Sequence, residues 1–169
     1  MAEQDQKVES NNEQQVESPE GIQIGVQTIY AKDVSFEAPN SPEIFLEQFK
    51  PSIDVNLNNR AKELGNDSYE TELQVTVTAK MDDKTIYIAE VKYGGVFAIK
   101  GVDDATKNRL LRTFCCDQLL PYVREAVSEI IARGGFPRFV LQPINFNALF
   151  DQAMQKAQQQ QSEQGEANA

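Results

Sequence analysis

The chain has 169 residues and is acidic, with 26 Asp and Glu against 16 Lys and Arg and a formal net charge of −10. This charge balance argues against binding to a nucleic acid backbone and favours a basic partner, which opposite charge would steer toward the protein. There is no histidine, which excludes Ser-His and Cys-His catalysis, histidine metal sites and imidazole acid–base chemistry.

Both ends of the chain are polar, and the composition predicts three parts. Residues 1–20 and 158–169 lack the large apolar side chains needed to offset chain entropy, so we expect unstructured tails there. Residues 21–157 are long enough for one folded domain. We find no secretory leader pattern and no apolar run of about 18–20 residues that could insert into a membrane. With only the adjacent Cys115 and Cys116, the chain is expected in the reducing cytoplasm.

Strand patterns come first along the chain, over residues 22–37, 52–58, 69–80 and 85–99. The segment 69–80 alternates apolar and polar side chains most regularly. A short MDDK turn joins it to the next strand and predicts an antiparallel hairpin. Residues 43–50 are consistent with a short helical turn, and Gly94-Gly95 suggests a bulge or bend. The polar stretch 59–68 contains Gly65 and Asn66 as turn signals.

Helical periodicity follows the strands. Asp103 or Asp104 can cap a helix that runs to about Arg133, which Pro121 should kink or interrupt. Asn145 can cap a second, shorter helix with one amphipathic face. Strands grouped before helices predict an α+β fold, in which a four-stranded antiparallel sheet is followed by a long helix and a shorter C-terminal helix.

No motif of an enzyme is present: the chain has neither a phosphate-binding loop nor GxGxxG or GxSxG. We therefore expect no catalytic residue, no cofactor and no metal site. The two cysteines are expected to be buried core thiols. In the first strand, strict alternation predicts Asp33, Ser35 and Glu37 on one face, together with Ile29 and Ala31. It predicts Tyr30, Val34 and Phe36 on the other.

The run FPRFVLQPINFNALF, residues 136–150, carries four phenylalanines interrupted by two prolines. Its apolar side chains, with those of the strand 52–58, can be ordinary core. The pattern favours that interpretation, although an aromatic loop beside an amphipathic helix can also form one wall of a groove for varied apolar ligands. The pattern alone leaves both interpretations open.

Four stretches in order, KDVSFEAPN, YGGVFAI, LPYVRE and PINFNALF, closely resemble the SecB protein-export chaperone family. The resemblance extends from about residue 22 to about residue 158. It implies a SecB-like fold assembled as a homotetramer, a dimer of dimers. It also implies an ATP-independent chaperone (a holdase) that binds unfolded secretory precursor proteins in the cytoplasm, keeps them competent for translocation and delivers them to the SecA motor ATPase.

The resemblance also implies two sets of site residues. An acidic face would bind SecA, including its zinc-bearing C-terminal tail, through Asp33, Glu37, Ile88 and Glu90. A groove would bind the precursor, and its residues would be Ile53, Val55, Leu57, Phe136, Phe139, Leu141, Phe146, Leu149, Phe150 and Met154. An alternative is that the same groove carries a small apolar ligand.

Overall fold

The computed structural model describes residues 16–17, 21–48 and 50–167 of the chain. Its strands are β1 (Val16–Glu17), β2 (Gln23–Glu37), β3 (Ser52–Gly65), β4 (Ser68–Met81) and β5 (Lys84–Lys100). Its helices are α1 (Asp104–Arg112), α2 (Phe114–Arg133) and α3 (Phe146–Ala167), with a 3-10 helix at Glu43–Leu46.

The strands form one antiparallel sheet in the order β1-β2-β5-β4-β3. The antiparallel sheet, the β4–β5 hairpin and the two helical segments after the strands confirm the α+β prediction. The short strand β1 pairs with the start of β2 and makes this a sheet of five strands instead of four.

The core lies between one face of the sheet and helices α1 and α2. The odd-numbered apolar residues of β4, such as Leu73, Val75 and Val77, are fully buried, and so are Leu119 and Val123 of α2. The alternating polar residues of β4 lie on the opposite face of the sheet. We call this second face, which α1 and α2 do not cover, the open face.

Strand β5 runs continuously through Gly94-Gly95, so the bulge predicted there was wrong. The register shifts lie in β2, where Gln27 and Lys32 are each an extra residue against β5. The glycine at 95 instead permits a close approach. A Cβ at this position would lie 2.7 Å from the ring of Phe97.

The two bulges invert the alternation of β2 between them. Ile29 and Ala31 pair with core-facing residues of β5, while Tyr30 pairs with Gly94 on the open face, as Asp33 does with Lys92. The sequence pattern predicts Ile29 and Ala31 on the same face of the strand as Asp33, and Tyr30 on the opposite face. That arrangement was wrong, because an extra residue at Lys32 shifts the phase of the strand.

Strand β3 continues to Gly65, although the polar run after residue 58 was interpreted as the start of a connection. Its residues pair with β4 up to the turn. Asn66 and Asp67 form this turn with positive φ angles of 53° and 58°, which Asn and Asp tolerate better than most residues. β3 is a sheet edge and is exposed along most of its length, so its far half needs no apolar alternation.

Both predicted helix caps are present. The backbone N–H of Thr106 donates to the carboxylate of Asp103 at 2.9 Å, and that of Ala148 donates to the Asn145 side chain at 3.0 Å. The long helical segment is divided at Thr113, and α2 then runs through Pro121. The proline therefore does not mark the interruption.

Two described elements extend into the ranges predicted as tails. Strand β1 lies within residues 1–20, most of which fall outside the described residues, and α3 extends past residue 157 to Ala167. The division into a domain and two tails stays a prediction. The helical turn predicted for 43–50 is the 3-10 helix at Glu43–Leu46, whose Ile44 is buried. Phe49 lies outside the described residues.

Candidate functional site

An apolar groove of about 450 Å³ lies between the edge of the sheet, the loop that joins α2 to α3, and α3 itself. We call residues 134–145 the α2–α3 loop. The groove is lined by Val55, Leu57, Phe139, Leu141, Gln142, Pro143, Ile144, Asn145, Ala148 and Leu149. Three separate elements thus contribute apolar side chains to one concave surface, which is the usual character of a binding site for apolar groups.

The wall on β3 follows from the alternation of that strand. Val55 pairs with Val77 and Leu57 with Val75, so both point to the helix-covered side of the sheet. β3 is an edge of the sheet that the structure describes, with no described strand on its outer side, and 41% of the Val55 surface stays exposed. The sequence predicted both residues for the groove.

The opposite wall follows from the start of α3. Asn145 caps this helix, and Ala148 and Leu149 follow at the three- and four-residue spacing of one helix face. Leu149 is 42% exposed, which leaves apolar surface for a ligand to cover. The floor includes Phe139 and the buried Leu141.

Two predicted groove residues lie in the core instead. The Phe136 ring packs against Tyr87 at 5.0 Å and Phe45 at 5.1 Å between centroids, and its side chain is buried. Phe146 is almost completely buried as well. The aromatic run therefore serves both interpretations, because Phe136 and Phe146 belong to the core and Phe139 lines the groove.

The remaining three predicted residues do not line the groove. Ile53 is on the same side of β3 as Val55, two residues nearer the start of the strand, and is partly exposed. Phe150 lies against the Arg109 guanidinium, 5.1 Å from its ring centroid, and Met154 is exposed one turn further along α3.

A second cavity, of about 330 Å³, lies on the α2 side of the α2–α3 loop and was not predicted. Its lining includes Pro121, Arg124, Val140 and Phe139, which thus contacts both cavities. Arg124 fixes the loop between them, since its Nε donates to the Leu141 carbonyl at 3.1 Å. The stretch LPYVRE carried this arginine, but a helix pattern does not reveal which loop carbonyl it reaches.

The four residues predicted for the acidic face share the open face of the sheet. Ser35 pairs with Glu90 and Glu37 pairs with Ile88, and Asp33 is two residues before Ser35 on the same side. We call Asp33, Glu37, Ile88 and Glu90 the acidic patch. Pairing across neighbouring strands, about 4.8 Å apart, brings these residues together on the side of the sheet opposite the helices.

Glu90 is held by a neighbouring strand. The hydroxyl of Thr76, its partner in the β4–β5 register, donates to Glu90 Oε2 at 3.0 Å. This hydrogen bond to one carboxylate oxygen restricts the rotation of the Glu90 side chain. Sequence reasoning missed Thr76, although hairpin register would have placed it opposite Glu90.

Further along the open face, Lys32 neutralises two carboxylates. Its ammonium forms ion pairs with Glu70, at 2.8 Å, and with Glu72, and the Tyr30 hydroxyl also donates to Glu70. The hydrogen bond from Lys32, followed by that from Tyr30, lowers the pKa of Glu70. These two carboxylates are therefore paired within the sheet, whereas no cation among the described residues forms an ion pair with a carboxylate of the acidic patch.

The two cysteines are buried, and the described residues contain no cluster of metal ligands. Cys115 and Cys116 are fully buried, and burial raises the pKa of each thiol to about 12. Among the described residues, no group of three or more Cys, Asp or Glu is placed to hold a metal ion. No helix in the described part of the chain is both long and apolar enough to cross a membrane.

The family model for preprotein translocase subunit SecB matches residues 14–157. The chain belongs to the SecB family. It is 49% identical over 154 residues to the protein-export protein SecB of Alkalilimnicola ehrlichii. That alignment covers 90% of this chain and 81% of the other protein. It is 51% identical over 138 residues to that of Alcanivorax borkumensis, covering 80% of this chain and 87% of that protein.

A solved structure supports the fold. A SecB-like chaperone of Mycobacterium tuberculosis, in complex with a peptide from an antitoxin, superposes with a TM-score of 0.61. The match covers 72% of this chain and 91% of that chain, at 12% sequence identity. At this identity the likeness concerns the fold, which is that of SecB-like proteins.

Proposed function

We propose that this protein is a protein-export chaperone that binds unfolded precursor polypeptides and keeps them competent for translocation. Membership of the SecB family supports this function, and the observation that carries it is the apolar groove between β3, the α2–α3 loop and α3. A groove of about 450 Å³ can accommodate a few large side chains of an extended segment. Folded proteins keep such side chains inside, so the groove would select unfolded chains.

Varied sequences can bind because the contacts are largely apolar. Each large side chain buried in the groove contributes about 1.5–3 kcal/mol, independent of the detailed sequence around it. The ordering of the bound chain opposes this gain, so several grooves acting together favour tight capture. We propose that the protein acts as a homotetramer, a dimer of dimers, which would supply four grooves.

Delivery to SecA is the second part of the proposal. The acidic patch lies on the open face, away from the groove, so a partner can bind there while a precursor stays bound. Carboxylates without a cation in ion-pair contact among the described residues favour a basic partner, and we propose that this is SecA with its zinc-bearing C-terminal tail. The zinc would belong to SecA.

We further propose that the protein acts in the cytoplasm, without hydrolysing ATP and without catalytic activity.

Refolding of a secretory precursor in the absence of nucleotide tests the proposal. The precursor is unfolded in urea and diluted with or without an equal concentration of this protein, and the folded precursor serves as the binding control. We expect refolding to be arrested and the folded form not to bind. Normal refolding, together with saturable binding of one compact apolar probe, would replace the chaperone by the small-ligand carrier.

A further inference from the structure

One arginine on α1 holds α3 from the side that faces away from the groove. Arg109 Nη1 donates to Asp151 Oδ1 at 2.7 Å, and Nη2 reaches Asp151 Oδ2 at 3.4 Å and Asn147 Oδ1 at 3.2 Å. The same guanidinium lies 5.1 Å from the centroid of the Phe150 ring. A single side chain thus contacts three residues of another helix.

These three contacts lie on one face of α3. Asn147, Phe150 and Asp151 have the three- and four-residue spacing of neighbours on a helix surface. At 100° per residue, Ala148 and Leu149 point away from that face, into the groove. Arg109 therefore fixes the rotation and tilt of the helix whose other side is a groove wall.

The arrangement suits a planar guanidinium. The two nitrogens match the two carboxylate oxygens of Asp151, and the flat group also lies against an aromatic ring. Because Asp151 accepts from Arg109, the pKa of this carboxyl is lowered. The pair is half exposed, with side chains 42% and 54% accessible, so its strength depends on ionic strength.

We propose that Arg109 is a positioning residue that sets the width of the groove by holding α3 against α1, a role that deepens the proposed chaperone function and rests on it. Arg109 does not line the groove and would not contact the precursor. Its effect on binding acts through the distance between the α3 wall, with Ala148 and Leu149, and the β3 wall, with Val55 and Leu57.

The test measures the distance between the walls directly. Spin labels are attached to Asn56→Cys on β3 and Gln152→Cys on α3, two exposed positions that do not line the groove. The native thiols are buried and are not expected to react. Distances between the two labels are measured by double electron–electron resonance. Labelled chains are diluted with unlabelled chains of the same variant, so that distances within one chain dominate the signal.

We expect Arg109→Gln to broaden the distance distribution and to weaken capture of an unfolded precursor about 3- to 10-fold, with little change in the unfolding midpoint. Asp151→Asn should act in the same direction. The double variant should capture the precursor as well as Arg109→Gln does, because both substitutions remove the same ion pair. Arg109→Lys should restore capture in part. Arg133→Gln, which removes an exposed arginine paired with Glu129, is the matched control and should behave as the wild type.

Salt provides a second readout that a purely structural role would not change. At about 1 M salt, screening should broaden the wild-type distribution toward that of Arg109→Gln, whose own distribution should stay constant. If the distance distribution of Arg109→Gln at low salt were the same as that of the wild type, the proposal would be overturned. A broader distribution with wild-type capture would also overturn it, while leaving the chaperone function intact. If the wild-type protein captured no precursor, the chaperone function would fail, and the distances alone would still decide whether Arg109 positions α3.

Discussion

Replacing Leu149 with aspartate tests whether the groove binds the precursor. Leu149 keeps 42% of its surface exposed in the free protein. Burial of a whole leucine side chain is worth about 1.5–3 kcal/mol, so a bound chain that covers this exposed 42% gains roughly 0.6–1.3 kcal/mol. An aspartate there must also lose water without a partner, which costs about 1–3 kcal/mol more. We therefore expect affinity to fall by about 10- to 1,000-fold, since each ~1.4 kcal/mol is tenfold.

The free protein should tolerate this substitution. Leu149 is in the first turn of α3, where a carboxylate is favourable to the helix dipole. Leu46→Asp is the matched control, because Leu46 is 89% exposed, lies outside the groove and receives the same change of charge. Binding is measured by titrating a labelled unfolded precursor, with helix content checked by circular dichroism. Wild-type capture by folded Leu149→Asp, or an equal loss in Leu46→Asp, would refute the assignment of the groove.

Further predictions concern the acidic patch, the core and the thiols. Thr76→Val removes the hydroxyl that donates to Glu90, so SecA binding measured by calorimetry should weaken about 2- to 10-fold while Thr76→Ser keeps it; equal affinity of the two variants would show that this hydrogen bond has no part. Gly95→Ala should lower the free energy of unfolding in urea by about 1–3 kcal/mol, because its Cβ would meet the Phe97 ring. Gly25→Ala, with nothing within 4 Å of its Cβ, is the control for this change, and a similar loss there would contradict the packing argument. Burial raises the pKa of both cysteine thiols to about 12, so at pH 8 only about one thiol in 10⁴ is ionised, and a thiol reagent should label the protein only after unfolding. Rapid labelling of the native protein would contradict that burial.

The sequence predicted elements well where one face of a strand or helix is buried and the other is not. β4 alternates over its whole length because α2 covers one side only, and the caps at Asp103 and Asn145 are local features. It failed for the far half of β3, where the edge strand has solvent around most side chains and pairing is decided by the backbone of β4. Burial gives a pattern to the sequence, and backbone pairing at an exposed edge does not.

The candidate site was predictable as a region and less so by residue. Of the ten residues predicted for the precursor groove, five line the apolar groove: Val55, Leu57, Phe139, Leu141 and Leu149. Phe136 and Phe146 of the aromatic run are instead buried in the core. Equal hydrophobicity does not reveal which ring of a proline-broken loop turns inward, because the direction of each residue depends on contacts with distant strands.

The two bulges in β2 determine where this strand tolerates a change in length. Inserting or deleting one residue in a strand usually turns every following side chain to the other face. In β2, Gln27 and Lys32 lie outside the pairing with β5, so a chain shorter by one residue at either place could still pair with its flanking residues in the same partnership. Related chains can therefore differ in length at these two positions and keep Asp33 and Glu37 on the open face. Loss of residue 32 would remove only the cation that pairs with Glu70 and Glu72.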